Sequence, residues 1–143
     1  MAIATTRPMT FAEYLDYDDG TDTRYELVDG ILVEMGAETD QNVLIALFLI
    51  VAFARVVPLN QLRRGTEIEI CPGRATSRYP DFMVLTAAGA AALSSERRSL
   101  IRADMPAPAL VVEVVSPGEP GAKNYDRDYV EKRQEYAERG IPE

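Results

Sequence analysis

The spacing of apolar residues predicts a helix and a hairpin at the start of the chain. Thr10 and Glu13 have the spacing of a capping box, and apolar residues follow at helical intervals, which predicts a helix over about residues 10–18. Two apolar runs then flank Asp29-Gly30. An Asp-Gly pair in this setting is typical of a type I′ turn, because both central residues of that turn need a positive φ. Residues 25–35 are therefore predicted to form a β-hairpin.

Longer apolar runs predict a mixed sheet and two larger helices in the rest of the chain. Residues 40–57 are apolar nearly all round, which is typical of a helix buried on most sides, and Pro58 ends it. The run at 110–115 is β-branched and apolar enough for a central strand. Further elements are predicted to be strands over 67–70 (with one solvated face) and 80–85, a helix or loop over 87–93, and a last helix over 124–139. We expect an α/β (or α+β) fold with a mixed central sheet flanked by helices, preceded by an N-terminal helix and hairpin.

Length and composition indicate one domain, residues 1–143, and exclude disulfides and sites that depend on histidine. The chain has 143 residues, a single cysteine and no histidine. An internal disulfide framework is therefore excluded, as are His-based catalytic triads and His-ligated zinc. The start of the chain has no apolar segment of a secretory signal, and the longest apolar run is shorter than the roughly 20 residues of a membrane span. We expect a cytoplasmic protein that does not enter a membrane.

Charge is distributed unevenly along the chain. The formal net charge is −8, from 15 basic and 23 acidic residues, and at first this argues against nucleic-acid binding. Residues 1–40 carry the whole excess, with 2 basic and 10 acidic residues, whereas residues 41–143 hold 13 of each. The charge of the second part therefore does not exclude contact with nucleic acid. It predicts weak affinity for DNA rather than a strongly basic cleft.

Two carboxylates stand out as candidate metal ligands. Glu113 interrupts an apolar strand, where a carboxylate is costly unless it is paired, protonated or bound to a metal. A buried ion pair or a solvated edge position would also explain it. Asp81 opens another apolar strand, and alone it would also suit a turn. Together, two carboxylates at neighbouring strand ends make an oxygen site suited to Mg²⁺ or Mn²⁺.

The last predicted helix carries a candidate cation. Tyr125, Tyr129, Lys132 and Tyr136 are spaced i, i+4, i+7 and i+11, which places them on one helix face that we expect to point inward. The lysine could extend past the aromatic rings into solvent. Alternatively its ammonium group lies near the two carboxylates, where it would orient a water or stabilise charge on a phosphoryl group.

Four sequence blocks, in order, resemble one protein family. The blocks RYELVDG, RYPDFMVL, LVVEVVSP and DYVEKRQEYAERGIPE are similar to the Uma2 family, a branch of the restriction-endonuclease-like PD-(D/E)XK nucleases. The motif PD alone is weak, whereas the ordered series of four blocks is specific. The resemblance covers most of the chain and implies the restriction-endonuclease-like fold, a divalent metal and DNA as the substrate.

The resemblance also implies roles for individual residues. Asp81 matches the motif aspartate and Glu113 the motif acidic residue, and both are expected to bind the metal. Lys132 matches a lysine that has moved from the strand to the following helix. Glu26 matches a further acidic position of the family, although as a residue it could equally be a solvated part of the hairpin. Ser116 could orient Glu113, but a turn serine is the simpler interpretation.

The chain departs from the family pattern at three places. Val115 stands where the related nucleases usually carry the lysine, and Gln41-Asn42 stands where Uma2 relatives often have a histidine. Relatives also continue beyond the Gly-Ile-Pro-Glu that ends this chain, into another strand and a hairpin. The resemblance thus implies that the C-terminal strands of the family are missing after Glu143. An open sheet edge and a large apolar helix would favour a homodimer.

Three functions follow from these observations. The first is a Mg²⁺-dependent endonuclease that hydrolyses DNA, with catalytic residues Glu26, Asp81, Glu113 and Lys132. The second is a non-catalytic binding or assembly module on the same fold, which Val115 and the missing C-terminus favour. The third is a structural one in which Glu113 and Lys132 form a buried ion pair without a metal. Basic candidates for contact with DNA phosphates are Arg63, Arg64, Arg74, Arg78, Arg97, Arg98 and Arg102.

Overall fold

A computed structural model describes residues 7–71, 74–115, 121 and 123–143. The helices are α1 (Phe11–Leu15), α2 (Asp40–Phe53), α3 (Ala87–Ser94), α4 (Lys123–Asp126) and α5 (Lys132–Glu138), with a 3-10 turn at Leu59–Gln61 and a π-helical segment at Arg127–Glu131 that joins α4 to α5. The strands are β1 (Tyr25–Val28), β2 (Ile31–Glu34), β3 (Leu62–Arg63), β4 (Glu67–Cys71), β5 (Arg74–Arg78), β6 (Phe82–Val84), β7 (Leu100–Ile101) and β8 (Leu110–Val112).

The described strands form two sheets rather than one. The first has the order β2-β1-β5-β4-β7 and is mixed, since β4 and β7 are parallel and the other pairs are antiparallel. The second, β3-β6-β8, is antiparallel. The predicted α+β class with a mixed sheet and flanking helices is confirmed.

The predicted N-terminal elements are present. The Thr10 side chain accepts a hydrogen bond from the Glu13 amide (3.1 Å) and Glu13 accepts one from the Thr10 amide (2.8 Å), so the capping box forms. The helix ends at Leu15, earlier than predicted. In the hairpin turn Asp29 and Gly30 have φ angles of 48° and 82°, as a type I′ turn requires.

One face of α2 is packed and the other is exposed, so the prediction of a helix buried on most sides is wrong. Leu49, Ile50 and Phe53 pack against a small core formed by the second sheet. That sheet has three short strands and covers only one side of the helix. The opposite face, which includes Leu44 and Phe48, remains exposed. None of the described helices is long and apolar enough to cross a bilayer.

The strand predicted over 110–115 is shorter and less central than its sequence suggests. β8 ends at Val112 and pairs with β6 alone among the described strands, so it lies at an edge of the second sheet. The Val111 amide on its other side donates to the Glu143 carbonyl (2.9 Å). Glu113 therefore lies just beyond the end of the strand rather than within it.

The π-helical segment changes which residues of the C-terminal helix, residues 123–138, point inward. Asp128, Lys132 and Tyr136 are buried, whereas Tyr129 is exposed. The extra residue per turn in a π-helix rotates the residues before it relative to those after it. The predicted inward stripe is therefore wrong for Tyr129 and right for Lys132 and Tyr136. The Tyr125 side chain lies outside what the structure describes.

Candidate metal and catalytic site

Asp81 and Glu113 meet at one end of the second sheet. β6 and β8 run antiparallel with Phe82 opposite Val112, so the next pair in the same register is Asp81 and Glu113. The Val114 amide donates a hydrogen bond to Asp81 Oδ2 (2.6 Å), which fixes that carboxylate at the strand end. Antiparallel pairing thus brings together two acids that are 32 positions apart in the sequence.

Lys132 reaches this pair from α5. Its Nζ lies 3.1 Å from Glu113 Oε2, and the Tyr136 hydroxyl donates to the other carboxylate oxygen, Oε1. The lysine and glutamate side chains are only 9% and 13% exposed. Because Lys132 and Tyr136 are four residues apart on one helix face, both oxygens of Glu113 are held from the same side.

Glu26 belongs to the same cluster, so the alternative of a solvated hairpin residue is wrong. Its carboxylate is buried in β1 and lies 4.0 Å from Lys132 Nζ. It accepts hydrogen bonds from Arg78 (3.1 Å) and from the Tyr79 amide (3.3 Å). Arg78, on β5, also forms two hydrogen bonds with Glu135 (2.8 and 3.0 Å). Arg78 therefore fixes Glu26 from one side while Lys132 approaches from the other.

Burial shifts the acidity of both strand-end carboxylates. Removal from water raises the pKa of Glu113 from its usual 4.5 to about 7, because the nearby Lys132 ammonium and the Tyr136 hydrogen bond only partly offset it. Burial also raises the pKa of Asp81, against the hydrogen bond from Val114 and the charge of Lys132. Each carboxylate also affects the pKa of the other, because the two lie at paired positions at the ends of β6 and β8.

A cleft of about 330 Å³ opens at Asp81. Its lining includes Arg24, Arg64 and Tyr79. The Arg24 guanidinium lies over the Tyr79 ring, 4.5 Å from the ring centre. One nitrogen of Arg64, Nη2, donates to both carboxylate oxygens of Glu38 (2.6 and 2.7 Å). The cleft thus gives solvent access to one of the two strand-end carboxylates.

Comparison with known proteins identifies the family. The model of the Uma2 family, described as putative restriction endonuclease, matches residues 11–143. The chain belongs to the Uma2 family. This agrees with the resemblance of its four sequence blocks, and the family description indicates a nuclease. A search of the curated proteins finds no match.

The donors in this Uma2 chain fit a hard divalent cation. Asp81 and Glu113 provide carboxylate oxygens, and Mg²⁺ in proteins often uses one or two carboxylates while keeping several waters. Over the described ranges no group of three or more acidic or cysteine residues is arranged to hold a metal, so any such ion would keep much of its water shell.

The charge of the cluster supports the same conclusion. The acidic members outnumber the basic ones by three: Glu26, Asp81, Glu113, Asp128, Glu131 and Glu135 against Arg78, Arg127 and Lys132. A divalent cation would reduce this excess when all of these groups are ionised.

Sequence reasoning missed several members of the site. Arg78 is among the arginines predicted to contact DNA, and this prediction is wrong, because its side chain is 2% exposed and binds two carboxylates. Asp128 lies 3.7 Å from Lys132 Nζ and is bound by Arg127 (2.9 Å). Arg78 could not be found from the sequence, because β5 is polar and lacks the alternation of apolar residues that marks a strand. Asp128 could not be found either, because no sequence pattern indicates which side of the π-helical segment points inward. Ser116 lies outside the described residues.

Proposed function

We propose that this Uma2 protein is a Mg²⁺- or Mn²⁺-dependent endonuclease that hydrolyses DNA phosphodiester bonds. The observation that carries the proposal is the convergence of Asp81, Glu113 and Lys132. They come from two strand ends and a helix, in a chain whose family description indicates a nuclease. A pair of carboxylates beside a lysine combines oxygen ligands for a cation with a positive charge for a phosphate.

The metal would be held by Asp81 and Glu113. When bound, it would polarise a phosphoryl oxygen and lower the pKa of a coordinated water. Glu113 must be deprotonated to bind a cation, and burial raises its pKa to about 7. Metal affinity is therefore expected to increase as the pH rises through 7.

Lys132 acts on the water or on the phosphate. Its Nζ donates to Glu113 at 3.1 Å, whereas Asp128 and Glu26 lie farther away, at 3.7 and 4.0 Å. An ammonium group has three donors, and those that do not bind Glu113 are available to a water or a phosphoryl oxygen. Tyr136 fixes the orientation of Glu113 by binding its other oxygen. Hydrolysis adds the water oxygen to phosphorus and breaks one P–O ester bond, and the positive charge of Lys132 stabilises the negative charge that develops.

Glu26 serves this centre as a positioning residue. It lies 4.0 Å from Lys132 Nζ and is fixed by Arg78, so it holds the lysine side chain towards Glu113.

The cleft beside Asp81 is the proposed DNA-binding surface. It has room for part of a nucleotide strand, and Arg24 is its least constrained cation because Arg64 is bound to Glu38. A guanidinium held flat on an aromatic ring can still donate its edge N–H groups to a phosphate. Acidic residues also line the cleft, which agrees with weak, metal-dependent affinity.

Cleavage assays with matched variants test the proposal. Plasmid and single-stranded DNA are incubated with Mg²⁺, Mn²⁺ or EDTA, using the natural protein, Asp81→Asn, Glu113→Gln and Lys132→Met. We expect metal-dependent cutting that each substitution reduces by at least about 100-fold. Lys123→Met, which changes the only other lysine, and Asp104→Asn, at an exposed acid, should cut normally. Cutting that survives all three site substitutions contradicts the assigned residues.

A non-catalytic module on the same fold is the second candidate. Both oxygens of Glu113 are already engaged, by Lys132 and Tyr136, and this arrangement is also that of a satisfied buried ion pair. The module predicts no cleavage and no heat of Mg²⁺ binding in calorimetry. The endonuclease predicts both, and Asp81→Asn should remove the binding heat.

The remaining parts of the proposal concern compartment and assembly. We also propose a cytoplasmic location, where DNA and Mg²⁺ would both be available to the protein. A homodimer is part of the same proposal.

A further inference from the structure

One face of α2 is apolar and exposed along its length. Leu44, Leu47, Phe48 and Val51 are between 48% and 72% exposed, although the opposite side of the same helix packs against the second sheet. At 100° per residue these four side chains fall within an arc of about 100°. Single exposed apolar residues are normal, whereas a contiguous patch of this kind marks an interaction surface.

Two charged residues complete this face at its ends. Asp40 begins α2, and Arg55 follows its last turn. Both are exposed, both continue the four-residue spacing of the apolar residues along the sequence, and neither forms an ion pair within the described part of the chain. We call the six residues the α2 face: Asp40, Leu44, Leu47, Phe48, Val51 and Arg55.

The α2 face is symmetric about its midpoint, between Leu47 and Phe48. Leu44 and Val51 are equally distant from that point, and so are Asp40 and Arg55. The face therefore has an acidic residue at one end, a basic residue at the other and four apolar residues between them. When a second copy of the helix runs antiparallel to the first, acid faces base and apolar residues face apolar residues. An isologous interface requires this property, because every residue must face its symmetry partner.

We propose that the α2 face binds a second copy of this chain, with the two α2 helices antiparallel about a two-fold axis. Leu47 then packs against the partner's Phe48, Leu44 packs against the partner's Val51, and Asp40 pairs with the partner's Arg55. The ion pair forms twice, once at each end of a contact about 20 Å long. Val56 and Leu59, both more than 70% exposed, extend the apolar surface beyond the helix.

Self-complementarity favours a second copy over an unrelated partner. An unrelated protein would need only an apolar surface, and nothing would require Asp40 and Arg55 to be equally far from the centre. A lipid surface would favour basic residues along the polar flanks, whereas this face has one charge of each sign. The proposal is independent of the nuclease activity, since no residue of the α2 face belongs to the metal site.

Sedimentation and light scattering of the whole chain test the surface. We expect the natural protein to have twice the mass of a single 15.8 kDa chain. Phe48→Glu and Leu47→Glu should produce monomers, because each places two carboxylates in the apolar centre. Val130→Glu changes a residue of similar exposure (54%) on the C-terminal helix and should leave the dimer intact. Circular dichroism checks that each variant is folded.

A charge exchange tests the antiparallel arrangement. Asp40→Arg and Arg55→Asp alone should each weaken the dimer on the order of tenfold, because like charges then face each other at both ends. The double variant should restore most of the affinity. A natural protein that is monomeric at all accessible concentrations overturns the proposal. A dimer that survives Phe48→Glu also contradicts it, and so does a double variant that dimerises no more tightly than the single variants. Binding of a monomer to phosphatidylcholine vesicles through α2 would show that the face binds lipid instead.

Discussion

Lys132 is the residue on which the interpretation of the site depends. It contacts Glu113 and lies within 4.0 Å of Glu26 and Asp128, so one ammonium group is shared by three carboxylates. Buried ion pairs add little stability relative to apolar residues of the same shape, whereas loss of one partner is costly. Lys132 is therefore expected to add little net stability although its loss is costly, whereas its proposed role in catalysis is essential. Stability and cleavage can be measured separately.

Substitution of Lys132 is expected to destabilise the fold when Glu113 is ionised. At pH 8, Lys132→Met should lower the free energy of unfolding by about 3–5 kcal/mol, because it leaves a buried carboxylate without a cation. The combined change Lys132→Met and Glu113→Leu should recover most of that loss. Urea denaturation measures both, with the exposed Lys123→Met as the control. A double variant as unstable as the single one would contradict the ion-pair energetics.

The pH dependence of stability is a second property of Glu113. Its pKa in the folded protein is about 7, above the usual 4.5, so the folded state holds a proton that the unfolded state has lost. Stability therefore falls as the pH rises from 4.5 to 7, by an amount on the order of 3 kcal/mol. Glu113→Gln should remove this part of the pH dependence.

Urea unfolding in EDTA at pH 5 and pH 8 measures this difference for the natural protein and Glu113→Gln. Asp104→Asn, at an exposed carboxylate, is the control and should keep the natural pH dependence. A natural protein that becomes more stable between these two pH values, relative to Glu113→Gln, would contradict the raised pKa.

The sequence predicts the residues of the site better than it predicts their partners. Asp81 and Glu113 are visible because acids interrupt or begin apolar strands, and the structure brings them together with Glu26 and Lys132. Arg78 is not visible, since its burial depends on carboxylates from β1 and α5 that meet only in the folded chain. Long-range charge pairing has no local pattern in the sequence.

Among the elements, those with strong local signals were predicted and those that depend on packing were not. The capping box, the hairpin and the large helix all have characteristic residues at set spacing. β5, β7 and the π-helical segment have none. The exposed side of α2 cannot be predicted from the sequence either. Apolar residues indicate a contact surface, but they do not tell whether the contact is made within the chain or with another molecule.

The hairpin turn provides a test at the level of one element. Gly30 has a positive φ, and a Cβ there would lie 2.6 Å from Pro8 Cβ and 2.8 Å from the Met9 carbonyl oxygen. Gly20 also has a positive φ but has open space around it. Gly20→Ala should therefore cost about 1–2 kcal/mol, for the backbone conformation alone. Gly30→Ala should cost about 1–3 kcal/mol more, for the steric overlap.

Thermal and urea unfolding of the two variants measure this difference. The hairpin pairs with β5, which carries Arg78, so Gly30→Ala is also expected to disturb the site through β1. Equal losses of stability in the two variants would contradict the steric overlap, because they would show that Pro8 and Met9 can move away from the new Cβ without loss of stability.

At the scale of the whole molecule, the question is how an acidic protein would hold DNA. The net charge of −8 arises from residues 1–40, and acids from this segment line the cleft beside Asp81. Arg24 is one of only two basic residues in that segment, and it lies in the cleft over Tyr79. Such a cation in an acidic surrounding is well placed to direct a phosphate towards the proposed metal site.

Arg24→Gln is therefore expected to weaken DNA binding more than the loss of other arginines. Binding is measured with the natural protein in Mg²⁺, by fluorescence anisotropy of a short duplex whose phosphorothioate linkages resist cleavage, over a range of salt concentrations. Loss of one phosphate contact should reduce the salt dependence, the slope of log K against log salt concentration, by about 1 and weaken affinity several-fold. Arg64→Gln should have a smaller effect, because Glu38 already binds that guanidinium. The exposed Arg97→Gln, outside the cleft, should have none. An unchanged slope in Arg24→Gln would remove Arg24 from the binding surface, whereas absence of binding by the natural protein in Mg²⁺ would count against DNA as the substrate.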